Sequence, residues 1–218
     1  MIYEAVLFDL GGVVLGSPLH AIADYERELG IPANFINRVV ANTAPSGGWA
    51  RLERGEISME EFFSVFDEDC RAAGQEISAR EMMSRMNAAT KPRDNMLRAI
   101  ERLRRAEFRV AAITNNWLVP DDGAESAPPD SALSGLEALF DVFVESSVEG
   151  LRKPDPRIYT LACERLGVSP EVCIFLDDIG SNLKTAREMG IATIKVETPD
   201  AALRELESLV DLELLAGD

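Results

Sequence analysis

Apolar residues fall into two kinds of run along this chain. The short continuous runs are Ala5-Val6-Leu7-Phe8, Arg109 to Thr114, Val142 to Glu145, Val172 to Leu176 and Ile191 to Val196. Gly11 and Gly12 break the first, and Asp177-Asp178 ends the fourth. Such runs predict strands buried on both faces of a parallel sheet. Between them lie stretches of helical period. One runs from about Arg93 to Ala106. Pro156 to Leu166 is stopped by Gly167, and Ser181 to Met189 by Gly190. A last helix has Thr198 as its cap and Pro199 at its first position. Strands alternating with helices predict an α/β fold, a doubly wound and mostly parallel sheet with helices on both faces.

Residues 17–89 break that rhythm. The pattern there is helical throughout, with no convincing strand. Ser58 stands three residues before Glu61 and Ser78 three before Glu81, two capping-box signatures that open helices. Phe62, Phe63, Val65 and Phe66 give the first of these a broad apolar face. The expected organisation is a core from residues 1–16 and 90–218 with an all-helical insert at 17–89. Pro120 to Pro129, rich in Pro, Asp, Gly and Ala, predicts a mobile surface loop.

Composition narrows the function. The 218 residues carry a formal net charge of −16, which repels nucleic-acid phosphates and anionic lipid headgroups. Neither a nucleic acid nor a membrane is therefore expected as a partner. An anionic substrate would need local cations at its site. No run is long and apolar enough to span a membrane, and the N-terminus leads straight into a strand rather than a basic and then apolar leader. Three cysteines, Cys70, Cys163 and Cys173, lack zinc-like spacing and predict reduced thiols, which makes a cytoplasmic location the default. The single histidine, His20, sits where a helix begins and is a poor candidate for a catalytic triad.

In an open parallel sheet, ligands bind beyond the carboxyl ends of the strands. The polar residues at those ends are Asp9, Thr114 with Asn115 and Asn116, and Asp177 with Asp178. Lys153 follows the third strand in Gly150-Leu151-Arg152-Lys153-Pro154. Together they suit one reaction. A carboxylate attacks phosphorus to form an acyl phosphate, which water then cleaves, and Asp9 is the candidate nucleophile. Crowded carboxylates call for a divalent cation. Mg2+ takes oxygen ligands, here Asp9, the Gly11 carbonyl and Asp178. Lys153 and the Thr114 hydroxyl can stabilise the transferring phosphoryl group. Asn115 and Gly12 are candidates for holding the substrate phosphate. Each residue has a plainer reading too: Thr114 as a turn hydroxyl, Lys153 as a solvated lysine, Asp177 and Asp178 as helix caps. Trp117 either lines an entrance or packs its loop. Trp49 either faces the substrate or, as the plainer reading, packs in a core, and Gly48 and Gly55 are candidate hinge points for a moving cap.

Phe8-Asp9-Leu10-Gly11-Gly12-Val13-Val14, Thr114-Asn115-Asn116, Lys153-Pro154-Asp155 and Leu176-Asp177-Asp178 resemble the four ordered motifs of the haloacid-dehalogenase superfamily. Thr114 to Leu118, Lys153 to Tyr159 and Phe175 to Lys184 resemble more narrowly the phosphatase domains at the N-terminus of soluble epoxide hydrolases and of some acyl-CoA dehydrogenase fusions. The resemblance implies strand order 5-4-1-2-3 and a helical cap inserted after the first motif. It also implies a small phosphorylated metabolite as substrate, Asn182 as a polar contact near the metal, and Asp177 behind it. The epoxide-cleaving half of the fusions is not expected here. Neither the particular ester nor the oligomeric state is written in the sequence.

One departure matters. Phosphatases of the superfamily usually place a second aspartate, the general acid and base, two residues after the nucleophile. Here that position is Gly11. General acid–base catalysis contributes about 10²–10⁴-fold, so the loss falls on esters whose leaving group needs a proton. Three readings follow: a restricted phosphatase, a phosphate- or metal-binding regulatory relative, and a haloacid dehalogenase. The last needs no second aspartate, but it needs no metal either, and Asp177-Asp178 beside Asp9 would then be costly.

Overall fold

A computed structural model describes residues 2–117 and 135–215; the loop expected from Pro120 to Pro129 lies outside them. Five parallel strands form one sheet: β1 (Ala5–Phe8), β2 (Arg109–Thr114), β3 (Val142–Glu145), β4 (Cys173–Asp177) and β5 (Ala192–Lys195). Their order is β3-β2-β1-β4-β5, the expected order read from the other edge. β1 lies at the centre, with Phe8 level with Ala112 of β2 and with Leu176 of β4.

Successive strand residues point to opposite faces. Val6, Phe8, Val110, Ala112, Ile174 and Leu176 face one hydrophobic layer, built with Met96, Ile100 and Leu103 of α6 (Asp94–Arg105) and Leu203 and Leu206 of α10 (Pro199–Val210). Ala5, Leu7, Ala111, Ile113 and Phe175 face the other, against Ile158 and Tyr159 of α8 (Pro156–Leu166) and Leu183 of α9 (Gly180–Glu188). Burial on both faces explains why these strands read as unbroken apolar runs. The short α7 (Ser146–Glu149) follows β3 directly.

Residues 17–89 contain α1 (Pro18–Leu29), α2 (Phe35–Thr43), α3 (Gly48–Glu53), α4 (Met59–Ala72) and α5 (Ala79–Ala89), and no strand. They gather around a hydrophobic cluster of their own, with Tyr25, Ile36, Leu52, Phe62, Phe66 and Met82 at its centre. The two crossings between this insert and the sheet run side by side. Leu15 bridges to Pro92, Gly16 N–H donates to the Lys91 carbonyl at 2.8 Å, and Arg93 N–H donates to the Val14 carbonyl at 2.9 Å.

The capping signatures fared differently. At Ser58 the box is reciprocal: its hydroxyl accepts from Glu61 N–H at 3.2 Å, and Glu61 accepts from Ser58 N–H at 2.9 Å. At Ser78 only half forms. Its hydroxyl accepts from Glu81 N–H, but its own N–H donates to the Tyr25 hydroxyl at 3.0 Å, and Glu81 turns to Arg85. A tertiary partner displaced the local one.

Candidate active site

The carboxyl ends of β1, β2 and β4 open on a single polar cluster. Asp9 follows β1, and its backbone N–H donates to the Leu176 carbonyl at 2.9 Å. Its Oδ1 accepts from Leu10 N–H at 2.7 Å and lies 2.7 Å from the Lys153 ammonium. Both contacts fall on Oδ1. The ammonium also donates to Asp177 Oδ2 at 2.8 Å. Lys153 is 1% exposed, so it is a buried cation between two carboxylates and not the solvated lysine of the plainer reading.

Asp177 is fully engaged. Its Oδ1 accepts from Ile179 N–H at 2.7 Å, and both its oxygens are within reach of the Asn182 amide, at 3.2 and 3.0 Å. Asp178 is the opposite case. Its Oδ1 is buried with no hydrogen-bond partner among the described residues. An unpaired buried carboxylate oxygen is costly unless a cation meets it. Oxygens of Asp9, Asp177 and Asp178 lie within 4.8 Å of one another. Three carboxylates against one lysine leave an excess of negative charge, so the donor set fits a hard divalent cation.

Gly12 makes this packing possible. Its φ is +84°, and a Cβ there would stand 2.2 Å from Asp178 Oδ2. Any side chain would push the acid away. Gly11 differs: φ is −67° and ψ is 120°, and the nearest atom to a Cβ would be Pro18 Cδ at 3.8 Å. Backbone and space both admit a larger residue, so the missing carboxylate is not excluded by packing. Arg93 donates to the Gly12 and Val13 carbonyls at 2.8 and 3.1 Å, holding this turn.

Burial pushes Asp9 up to about 8 against the pull of Lys153, and the charge of Asp177 adds to the rise. Burial and Asp177 push Asp178 up to about 6. Burial works against the Lys153 charge, but Asp177 and Asp9 outweigh it and hold the ammonium above the ordinary lysine range. The nucleophile candidate is thus short of positive charge.

The second motif divides its labour. Thr114 ends β2, buried, level with Glu145 of β3. The Asn115 side chain clasps the Lys153 backbone: its amide donates to the Lys153 carbonyl at 3.1 Å, and its oxygen accepts from Lys153 N–H at 2.9 Å. That engages the side-chain oxygen and one amide hydrogen, and the amide nitrogen carries a second hydrogen. Asn116 ties β2 to the end of β3, donating to Glu145 at 2.6 Å and accepting from the Ser147 hydroxyl at 2.9 Å. Trp117 packs edge-on to Trp49, ring centres 6.4 Å apart, and Trp49 is core in the insert. Gly48 and Gly55 have packing reasons: a Cβ would meet Val65 Cγ1 at 2.9 Å and the Ser147 carbonyl oxygen at 2.3 Å. His20 is exposed on α1.

Sequence reasoning missed Glu53, Arg93 and Arg152. Arg152 stands beside Lys153, and Glu53 stands four residues after Trp49; those spacings were the only signal. No described helix is long and apolar enough to cross a membrane.

A model of the haloacid dehalogenase-like hydrolases matches residues 3–190. The chain is 37% identical over 218 residues to mouse acyl-CoA dehydrogenase family member 10, covering 99% of this chain and 20% of that protein. It is 34% identical to pig bifunctional epoxide hydrolase 2, covering 99% of this chain and 40% of that one. The chain thus spans well under half the length of these two relatives. Phosphatase MT3486 of Mycobacterium tuberculosis is 32% identical, with 96% of both chains covered. Among solved structures, an HAD-like hydrolase from Porphyromonas gingivalis superposes with TM-score 0.69 at 23% identity over 98% of this chain and all of that one. An HAD family enzyme of Bacteroides thetaiotaomicron, in complex with magnesium and inorganic phosphate, gives TM-score 0.59 at 22% identity over 88% and 93%. Those two likenesses speak to the fold.

Proposed function

This chain belongs to the haloacid dehalogenase-like hydrolase family, and from that premise we propose that it cleaves a small phosphate monoester with Mg2+, through an aspartyl-phosphate on Asp9. The observation that carries the reading is Asp9 held by a buried Lys153 beside the orphaned Asp178 oxygen. Relatives named as phosphatases support it.

Asp9, the Gly11 carbonyl and Asp178 would hold the ion. Bound there, magnesium offsets the repulsion among the carboxylates and draws charge from the phosphoryl oxygens. The rest falls to this chain's own side chains. With Oδ1 facing Leu10 N–H and Lys153, Oδ2 of Asp9 attacks phosphorus, and the bond from phosphorus to the ester oxygen breaks. Lys153 and Thr114 neutralise the charge spread over the phosphoryl oxygens. Gly12 and Asn115 border the phosphate. Water then attacks phosphorus, the bond from phosphorus to Oδ2 breaks, and phosphate leaves with the water's hydroxyl while the proton passes to solvent, restoring the Asp9 carboxylate. Asp177 and Asn182 keep Lys153 in place throughout.

Nothing at Gly11 delivers a proton to the leaving oxygen. Aryl, acyl or anomeric leaving groups tolerate that; a simple alkoxide does not. Residues 17–89 serve as a cap over the core of residues 1–16 and 90–218 and select the ester. Three free thiols suit a reducing, cytoplasmic setting.

The test is phosphate release from an aryl and an alkyl phosphate, with magnesium and with chelator. Metal-dependent release that favours the aryl ester, abolished in Asp9→Asn, is the expected result. Gly11→Asp should raise alkyl-ester turnover by about 10²-fold or more. The Gly11 position also favours a second reading, a relative that binds phosphate or metal without turnover. Retained binding with no release across a broad ester panel would establish that one. Metal-independent chloride release from a chloroacid would point to a dehalogenase instead.

A further inference from the structure

The helical insert meets the core's catalytic loops through contacts that the reaction above does not use. α3 carries Trp49 and Glu53 one helical turn apart. The Trp49 indole donates to Glu53 Oε1 at 2.9 Å, and Arg152 Nε donates to Glu53 Oε2 at 2.5 Å. Glu53 is 6% exposed, and Arg152 immediately precedes Lys153. Trp49 also leans on Trp117, the residue after Asn116. Gly55 lies against the carbonyl of Ser147, whose N–H and hydroxyl donate to Asn116 Oδ1 at 3.3 and 2.9 Å. Three contacts from residues 49–55 of the insert therefore land on residues adjacent to, or bonded to, motif residues.

The chemistry of the pair is directional. An exposed ion pair contributes little, whereas removing one member of a buried pair strands the other charge. Among the described residues Glu53 has one cation within bonding reach, Arg152, which the core supplies across the boundary with the insert. Arg152 belongs to the same backbone segment that Asn115 clasps at Lys153. That segment is held from the core side by Asn115 and from the insert side by Glu53.

We propose that Glu53 and Arg152 are positioning residues. Their pair fixes the backbone of residues 150–154 from the insert side, so that the Lys153 ammonium reaches Asp9 and Asp177 together. This rests on Lys153 acting in phosphoryl transfer, as proposed above.

Glu53→Gln keeps the shape and can still accept from Trp49 and Arg152, so it tests the charge with the least risk to folding; Arg152→Met tests the partner. The full chain is assayed with an aryl phosphate and magnesium, well below each variant's Tm. Hydrogen–deuterium exchange of residues 150–154 is followed separately in ester-free protein. The expected result is a fall in kcat of about tenfold to a hundredfold in each variant with KM nearly unchanged. The double variant should be no worse than the poorer single one, and amide exchange in 150–154 should be faster. Two results would overturn the proposal: a lower Tm with kcat unchanged, or kcat losses that multiply in the double variant. Unaltered exchange in 150–154 would do the same. If the wild-type chain releases no phosphate from any ester, the phosphohydrolase reading fails, while the exchange measurement still decides whether Glu53 orders this segment.

Discussion

The carboxyl end of the sheet and the helical insert are stabilised by different physics. At the ends of β1 and β4, nearly every polar group has a buried partner of opposite character: Lys153 between Asp9 and Asp177, Asp177 among Lys153, Ile179 and Asn182, Asn115 on both sides of Lys153. Among the described residues, Asp178 Oδ1 is the fully buried oxygen left without a partner. The insert keeps its order through apolar packing, with Phe62 stacked on Phe66 at 5.2 Å and Trp49 edge-on to both. Its ion pairs, such as Arg80–Glu60, are mostly exposed. The difference teaches where damage shows. A network of buried charges fails at one atom, with chemistry lost along with stability. An apolar cluster fails by cavity, with stability lost before the chemistry.

Lys153→Met is the largest expected break. It removes the only cation from between two buried carboxylates, so turnover should fall by about 10²–10³-fold. The stranded charges should also cost about 3–5 kcal/mol of unfolding free energy. Steady-state kinetics and urea denaturation read the two separately, and near-normal kcat would remove Lys153 from the reaction. Phe66→Ala probes the other region. Phe66 is fully buried, so the cavity should cost about 3–5 kcal/mol. At a temperature where the variant is folded, kcat for a small aryl ester should change by less than about threefold. A larger change would mean that the insert's core and the site are not separable.

The smallest effect sharpens the comparison through pH. Asp9 and Asp178 are held at about 8 and about 6, both above the ordinary 3.8. A carboxyl raised in the folded state stabilises the fold fully below its unfolded pKa. It loses that contribution as pH rises through the folded value. Without metal, Tm should therefore drop between roughly pH 5 and pH 8.5. Saturating magnesium should flatten the slope, because it meets the same charges. Differential scanning calorimetry with and without chelator checks both; a metal-free Tm that rises across this window would contradict the charge deficit at Asp9. Phe66→Ala should lower the whole curve without altering its slope.

Much of this was legible locally. The five strands read as apolar runs because both faces of a central parallel sheet are covered, and Asp9 and Asp177 stood out as the first polar residues where those runs stop. The Ser58 box was readable because both partners lie within one helical turn. Ser78 was half misread because Tyr25, 53 residues away, took the N–H that Glu81 would have taken. The clasp of Asn115 on Lys153 and the reach of Arg152 to Glu53 join residues 38 and 99 positions apart. No spacing rule carries such pairings.

By itself, then, the sequence determined the strand-and-helix alternation, the all-helical insert and the roster of acids, lysine and threonine at the strand ends, because periodicity, caps and turn residues act over a few neighbours. Tertiary structure alone decided which carboxylate is engaged and which is left open, that Lys153 is buried between two of them, and that the insert touches the Lys153 segment through Glu53. Those outcomes depend on burial and on distances between remote segments, and a side chain's charge acquires its energetic consequence only once the surroundings have removed its water.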